Sequence, residues 1–274
     1  MSKNKFSFKI FICILLSSII LLAFVYAEPM DSNKPHDTTP TLFVHGYKGG
    51  PRSFDTMLQR LEKENFGKKT MVVHVASNGE VAISGDIARQ SPSFIQVIFQ
   101  NDRATISQQT QWMRKILYQL KEVYNVPQVN LVGHSMGGLT STNVILQNQP
   151  KSGLPKIKKL VVIASPFKGI DNPTYFTVNT GEAAVDLKTR SEALKKMIAN
   201  KEKFESTIDV LAIAGVIDHT GTDGIVSLIS AMGIEDIVKE DQLNREIFYD
   251  KKATHSGLHE HTGVDQKIAS FLWE

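Results

Sequence analysis

The sequence predicts an α/β fold, a mostly parallel central sheet with helices on both of its faces. Three observations predict it. Short runs rich in Val, Ile and Leu alternate with longer segments of helical period through the middle of the chain, an order that right-handed crossovers convert into a parallel sheet. Removing the first 27 of the 274 residues leaves 247, ample for one sheet covered on both sides, and no long Pro- or Gly-rich linker divides them. Finally, the pentapeptide Gly133-His134-Ser135-Met136-Gly137 has the form Gly-x-Ser-x-Gly and directly follows the apolar run Val129-Asn130-Leu131-Val132.

Taken in order, residues 1–27 carry Lys3, Lys5 and Lys9, then an apolar run from Ile10 to Val25, then Val25-Tyr26-Ala27, whose small residues fit signal-peptidase cleavage. The segment is expected to be an export signal removed after Ala27, with an uncleaved membrane anchor as the alternative reading. Residues 28–40 are polar and punctuated by Pro29, Pro35 and Pro40, which predicts a tether. The domain follows from residue 41 to 274.

Strands are predicted at 41–45, 70–75, 81–84, 94–100, 128–133, 159–164, 208–216 and 245–250, with 70–84 folding back as a hairpin at Asn78-Gly79. Helices are predicted at 53–65, 105–124, 136–148, 224–232 and 264–273. In the second, Thr105 and Gln108 are spaced as a capping box, and Trp112, Ile116, Leu117, Leu120 and Tyr124 fall on one face, a pattern of core packing. About 42 residues separate the strands ending at Ser165 and starting at Ile208, more than a bare crossover needs. Residues 166–207 are therefore either a small cap over the site or an ordinary pair of surface helices, and both readings stand.

A serine hydroxyl is a poor nucleophile unless it is exposed beside a base with donors waiting for the oxyanion. A sharp strand-to-helix turn flanked by glycines presents Ser135 in that way. The order of partners on such a sheet is serine, then acid, then histidine. Asp218 and Asp223, both after the 208–216 strand, are acid candidates. Among the later histidines, His255 opens the loop between the last strand and the last helix, the position of a general base. His259 is the alternative, and the pair at i, i+4 could in a helix bind a metal, although Gly257 weakens that helix.

His-Gly-Tyr-x-Gly-Gly from His45, Gly-His-Ser-Met-Gly-Gly from Gly133, Thr-Asp-Gly-Ile-Val from Thr222 and His-Ser-Gly-Leu-His-Glu from His255 stand in this order. By these motifs, the chain from Thr41 to Trp273 resembles an alpha/beta-hydrolase, and closely a family of bacterial exported or cell-surface hydrolases of unassigned substrate. The resemblance implies serine-ester chemistry without a cofactor. It also favours Asp223 as the acid and His255 as the base, since their loops look like those of small bacterial lipases. It places the oxyanion donors on the main-chain amides of Tyr47 and Met136, and makes His45 and His134 structural.

Composition limits the partners. The formal net charge of +3 belongs to the first 27 residues, which hold three lysines and no acid; beyond them, 28 basic and 28 acidic residues balance. That balance gives no reason to expect nucleic acid, whose binding leans on clustered Lys and Arg. The only cysteine, Cys13, lies in the export segment, so neither a disulfide nor a cysteine nucleophile is expected in the domain. The expected substrate is a small-molecule or lipid ester, with membrane proximity only through the N-terminal segment. A thioesterase or acyltransferase would use the same triad, and a non-catalytic surface binding module on this scaffold would not need it intact.

Overall fold

A computed structural model describes residues 38–88, 90–147 and 153–274. The predicted export segment and most of the tether lie outside the described residues. No helix among the described residues is long and apolar enough to cross a membrane.

Eight strands form one sheet: β1 (Thr41–Val44), β2 (Lys68–Val75), β3 (Val81–Gly85), β4 (Ser93–Phe99), β5 (Gln128–His134), β6 (Lys156–Ile163), β7 (Asp209–Val216) and β8 (Leu243–Tyr249). Their order is β3-β2-β4-β1-β5-β6-β7-β8. Every pairing is parallel except β2 with β3, the expected hairpin at the edge. Asn78 shapes its turn, with the side-chain oxygen accepting from the Glu80 amide at 3.0 Å.

Strand side chains alternate between faces, and this alternation divides the core. From β1, Leu42 and Val44 join one apolar cluster while Phe43 joins the other. The first cluster is completed by α2 (Ile106–Glu122) and α3 (Met136–Gln147), which bury Trp112, Ile116, Leu117, Leu120, Leu139 and Ile145. The second is covered by α1 (Asp55–Lys63) and α8 (Thr262–Trp273), through Met57, Leu58, Leu61, Ile268 and Leu272. Helices on both faces are thus the solution to burying a two-sided apolar sheet. The capping box forms as its spacing predicts: the Gln108 amide donates to Thr105 Oγ1 at 3.2 Å, and the Thr105 amide to Gln108 Oε1 at 3.0 Å.

The 166–207 insertion folds into three short helices, α4 (Tyr175–Val178), α5 (Glu182–Asp186) and α6 (Glu192–Ala199). One expected helix is corrected. The segment 224–232 is helical only over α7 (Leu228–Ala231), which Ser227 caps by accepting from the Ser230 amide at 3.3 Å. Residues 223–226 instead close a tight turn, in which the Asp223 amide donates to Val226 O at 3.1 Å and Gly224 is left-handed at φ 95°. The Ile225 and Val226 amides are taken by the Asp223 carboxylate, and β-branched residues do not compete for helix.

Candidate active site

The turn between β5 and α3 carries Ser135 in the left-handed region, φ 54°. Such a conformation costs a non-glycine residue roughly 1–3 kcal/mol and persists where its surroundings enforce it. Here the Ser135 amide donates to Ile163 O at 2.8 Å on β6, and its carbonyl accepts from the Gly138 amide at 3.0 Å. The turn can be this sharp because the flanking glycines meet backbone: a Cβ on Gly133 would lie 2.5 Å from the Gly137 carbonyl carbon.

The other two predicted side chains arrive from loops after β7 and β8. Ser135 Oγ lies 3.0 Å from His255 Nε2, and His255 Nδ1 lies 2.8 Å from Asp223 Oδ2. The second carboxylate oxygen, Oδ1, accepts from the amides of Ile225 and Val226 at 2.8 and 2.7 Å. Asp223 is only 2% exposed, so this carboxylate is held dry and fully bonded. The His255 amide also donates to Asp223 O at 2.9 Å, which locks the two loops backbone to backbone. Asp218, by contrast, is exposed in a left-handed turn after β7.

His259 does not compete for Ser135. Its ring packs against those of Phe54 and His134, with centroids 6.4 and 4.9 Å away, and its Nδ1 faces Glu260 at 3.2 Å. His134 lies beside His255, where its Nε2–H donates to the His255 carbonyl at 2.8 Å and its ring sits 4.8 Å from that of His255. His45 braces the loop after β1: Nε2 accepts from the Phe99 amide at 3.1 Å, and Nδ1–H donates to Gly46 O at 2.9 Å. Both histidines thus engage main-chain groups rather than the serine hydroxyl.

Burial holds His45, His134 and His259 below the usual imidazole value, His134 furthest, with His255 and His259 beside it adding to the effect. A histidine depressed in the folded state is protonated first in the unfolded chain. Stability is then complete above the unfolded value of about 6.5 and is lost as pH falls below it. Urea unfolding at pH 5.5 is expected to give a lower free energy than at pH 7.5, by about 1 kcal/mol or more, and a His134→Asn variant to give a shallower pH slope. A slope unchanged in that variant would refute the assignment.

The main-chain amides expected to face an oxyanion flank the serine. Met136 opens α3, where the first amides have no intrahelical acceptor. Tyr47 follows Gly46, whose Cβ position is 2.8 Å from Ser135 Cβ and 3.4 Å from the Met136 amide nitrogen. Glycine is what allows this approach. Gly46, Tyr47 and Ser135 line a cleft of about 410 Å³ that also includes Lys48, Tyr175, Asn179 and Ile225. Tyr175 and Asn179 come from the insertion, so 166–207 does contribute a wall to the site. Nothing in the sequence motifs points to these two, or to Lys48. Burial, with a smaller contribution from Tyr47, pushes the Tyr175 phenol up to about 12, so this wall of the cleft carries a neutral hydroxyl at neutral pH.

The histidine loop is clamped from α1. The Arg60 guanidinium reaches Asp265 Oδ1 at 3.1 Å, Glu260 Oε2 at 3.3 Å and His259 O at 3.1 Å. Thr56 Oγ1 donates to Glu260 at 2.6 Å. Removing the arginine would leave the Asp265 carboxylate buried without its partner, so Arg60→Met should cost about 2–4 kcal/mol in urea unfolding. Among the described residues, no group of three or more His, Cys, Asp and Glu is arranged to hold a metal ion.

A parallel sheet whose fifth strand delivers a serine into a sharp turn, with acid and histidine returning from later loops, is the architecture of an alpha/beta hydrolase. The chain belongs to the family described as alpha/beta hydrolases of unknown function (DUF915), whose profile matches residues 28–274. A gene product of Listeria innocua is similar, with 27% identity and a TM-score of 0.75 over 86% of this chain and 94% of that one. A candidate cell surface hydrolase of Lactobacillus plantarum shares 24% identity and a TM-score of 0.64 over 85% and 89%. A lipase-esterase related protein of Clostridium acetobutylicum, 17% identical with a TM-score of 0.51 over 86% and 95%, shares the fold. No curated protein sequence matches the chain significantly.

Proposed function

We propose that the protein is an exported or cell-surface serine hydrolase that cleaves carboxylic esters through an acyl-enzyme on Ser135. The observation that carries this reading is the unbroken line of contacts from Ser135 Oγ to His255 Nε2 at 3.0 Å and from His255 Nδ1 to Asp223 at 2.8 Å. His255 takes the serine proton as Oγ attacks the ester carbonyl. The negative charge that develops on the carbonyl oxygen is met by the Tyr47 and Met136 amides, which are fixed before reaction and cost no reorganisation.

Collapse of the tetrahedral intermediate breaks the carbon–oxygen bond to the alcohol, which leaves with the proton from His255. Water then repeats the sequence on the acyl-serine, frees the acid and restores the hydroxyl. Asp223 selects the tautomer with the proton on Nδ1 and stabilises the imidazolium without taking its proton. His255 can act as the base because its Nε2 faces the serine hydroxyl while Nδ1 is held by the carboxylate. Export rests on the basic, then apolar, then small-residue order of residues 1–27 and on the likeness to a candidate cell surface hydrolase.

The test is covalent labelling with a fluorophosphonate, with the modified peptide mapped by mass spectrometry, alongside hydrolysis of 4-nitrophenyl esters of increasing acyl length. Labelling confined to Ser135 and turnover of at least one ester are expected. A protein that neither labels nor turns over would end the proposal.

A further inference from the structure

We propose that Lys48 and Asn179 form a subsite for an anionic group at the mouth of the Ser135 cleft. The favoured ester then carries a carboxylate or phosphate near its scissile carbonyl. This deepens the ester reading above and rests on it.

The ammonium of Lys48 is held in place by neutral groups only. Its Nζ lies 2.5 Å from Asn179 Oδ1 and 3.5 Å from Val178 O, and 5.4 Å from the centre of the Tyr47 ring. Among the described residues, no carboxylate lies within 4.0 Å of it, so its charge is not neutralised by an ion pair. The acids around the cleft are engaged elsewhere. Asp102 lends its main-chain oxygen to the Lys48 amide at 2.9 Å but turns its carboxylate to Arg103 at 3.8 Å. Asp223 is committed to His255 and two amides.

Asn179 is also fixed. It is 8% exposed, and its Nδ2 donates to Tyr175 O at 2.7 Å, which aims Oδ1 at the ammonium. Tyr47 ties the same segment down, its hydroxyl donating to Thr180 O at 3.2 Å. The charge is thus positioned by a frame joining the loop after β1 to the insertion. An ammonium has three donors, and an incoming anion can take one of them without displacing an existing acid.

The position suits a substrate reacting at Ser135. Lys48 lies two residues beyond Gly46, whose Cβ position touches the serine, and it lines the same cleft as Ser135. The rest of the wall is mostly polar, with Ser53, Ser256 and Tyr175, and Ile225 as its one aliphatic side chain. Such a lining stabilises a short polar substrate better than a long acyl chain, which gains from apolar contact.

The test compares kcat/KM within two matched pairs: 4-nitrophenyl hexanoate with mono-4-nitrophenyl adipate, and phenyl hexanoate with 4-carboxyphenyl hexanoate. The pairs place the charge on the acyl side or on the alcohol side. In one pair, the charged ester should be preferred by about tenfold or more, and this preference should weaken in about 0.5 M salt. The ratio of charged to neutral should fall about tenfold in Lys48→Gln, and likewise in Asn179→Asp, where a carboxylate would occupy the ammonium. Lys48→Arg should retain it. A wild-type enzyme with no charged preference in either pair, or a ratio equal in wild type and Lys48→Gln, overturns the subsite alone. Inactivity on all four esters, with no fluorophosphonate labelling of Ser135, overturns the ester reading and the subsite with it.

Discussion

Ser135→Ala and His255→Ala are each expected to lower kcat on an activated ester by about a million-fold, because nucleophile and base act as one unit and either loss removes the whole attack. The geometry gives each change a defined consequence. Without Oγ there is nothing 3.0 Å from Nε2 to deprotonate; without the imidazole the hydroxyl keeps its proton. A residual acceleration of about a thousandfold or more over water should survive through the Tyr47 and Met136 amides. Asp223→Asn should cost less, about ten-thousandfold. Its oxygen can still accept from Ile225 and Val226, but an amide nitrogen facing His255 Nδ1 demands the tautomer that leaves Nε2 protonated and unable to act as base. His259→Ala should cost far less than His255→Ala, since its ring touches Phe54 and His134 rather than Ser135. Single-turnover kinetics with purified variants measure all four. A His259 variant more damaged than the His255 variant would refute the roles assigned.

The parts of the site legible in the sequence are those in which one short segment carries its own geometry. Gly-x-Ser-x-Gly after an apolar run specifies a turn within five residues, and Ser135 does sit left-handed there. His255 was readable from its place between the last strand and the last helix. The helix start at 224 was not, because the Asp223 carboxylate claims the amides of Ile225 and Val226, a competition that apolar periodicity does not register. Least legible were the contacts that join distant segments. Lys48 and Asn179 are 131 residues apart, and the Arg60 clamp reaches Asp265 across 205. Neither pair belongs to a motif, and each exists only because the sheet order sets β1 beside β5 and the two covering helices α1 and α8 on one face.

Gly137→Ala should be severely damaging although it removes no functional atom. A Cβ there would lie 2.2 Å from Val44 O and 2.6 Å from His45 O, both backbone. Val44 cannot withdraw without loosening its pairing with Gly133 across β1 and β5, and His45 cannot without shifting the loop that carries Gly46 and Tyr47. Overpacking against movable side chains costs roughly 1–3 kcal/mol; against fixed backbone the cost should exceed the upper figure. With native stabilities of about 5–15 kcal/mol, that is a large share, and soluble yield and melting temperature should both fall sharply. In whatever folds, the serine and the two amides lose register, and a displacement of about 1 Å is enough to lower turnover about a hundredfold. The neighbouring Gly138→Ala gives the control. Its Cβ would meet the Ser165 hydroxyl at 2.0 Å, a side-chain end that can rotate away, so its cost should be smaller, while Gly50→Ala, with nothing within 4 Å, should be nearly silent. If thermal unfolding ranks Gly137→Ala no worse than Gly138→Ala, the close approach of the elbow to β1 is not what fixes the serine.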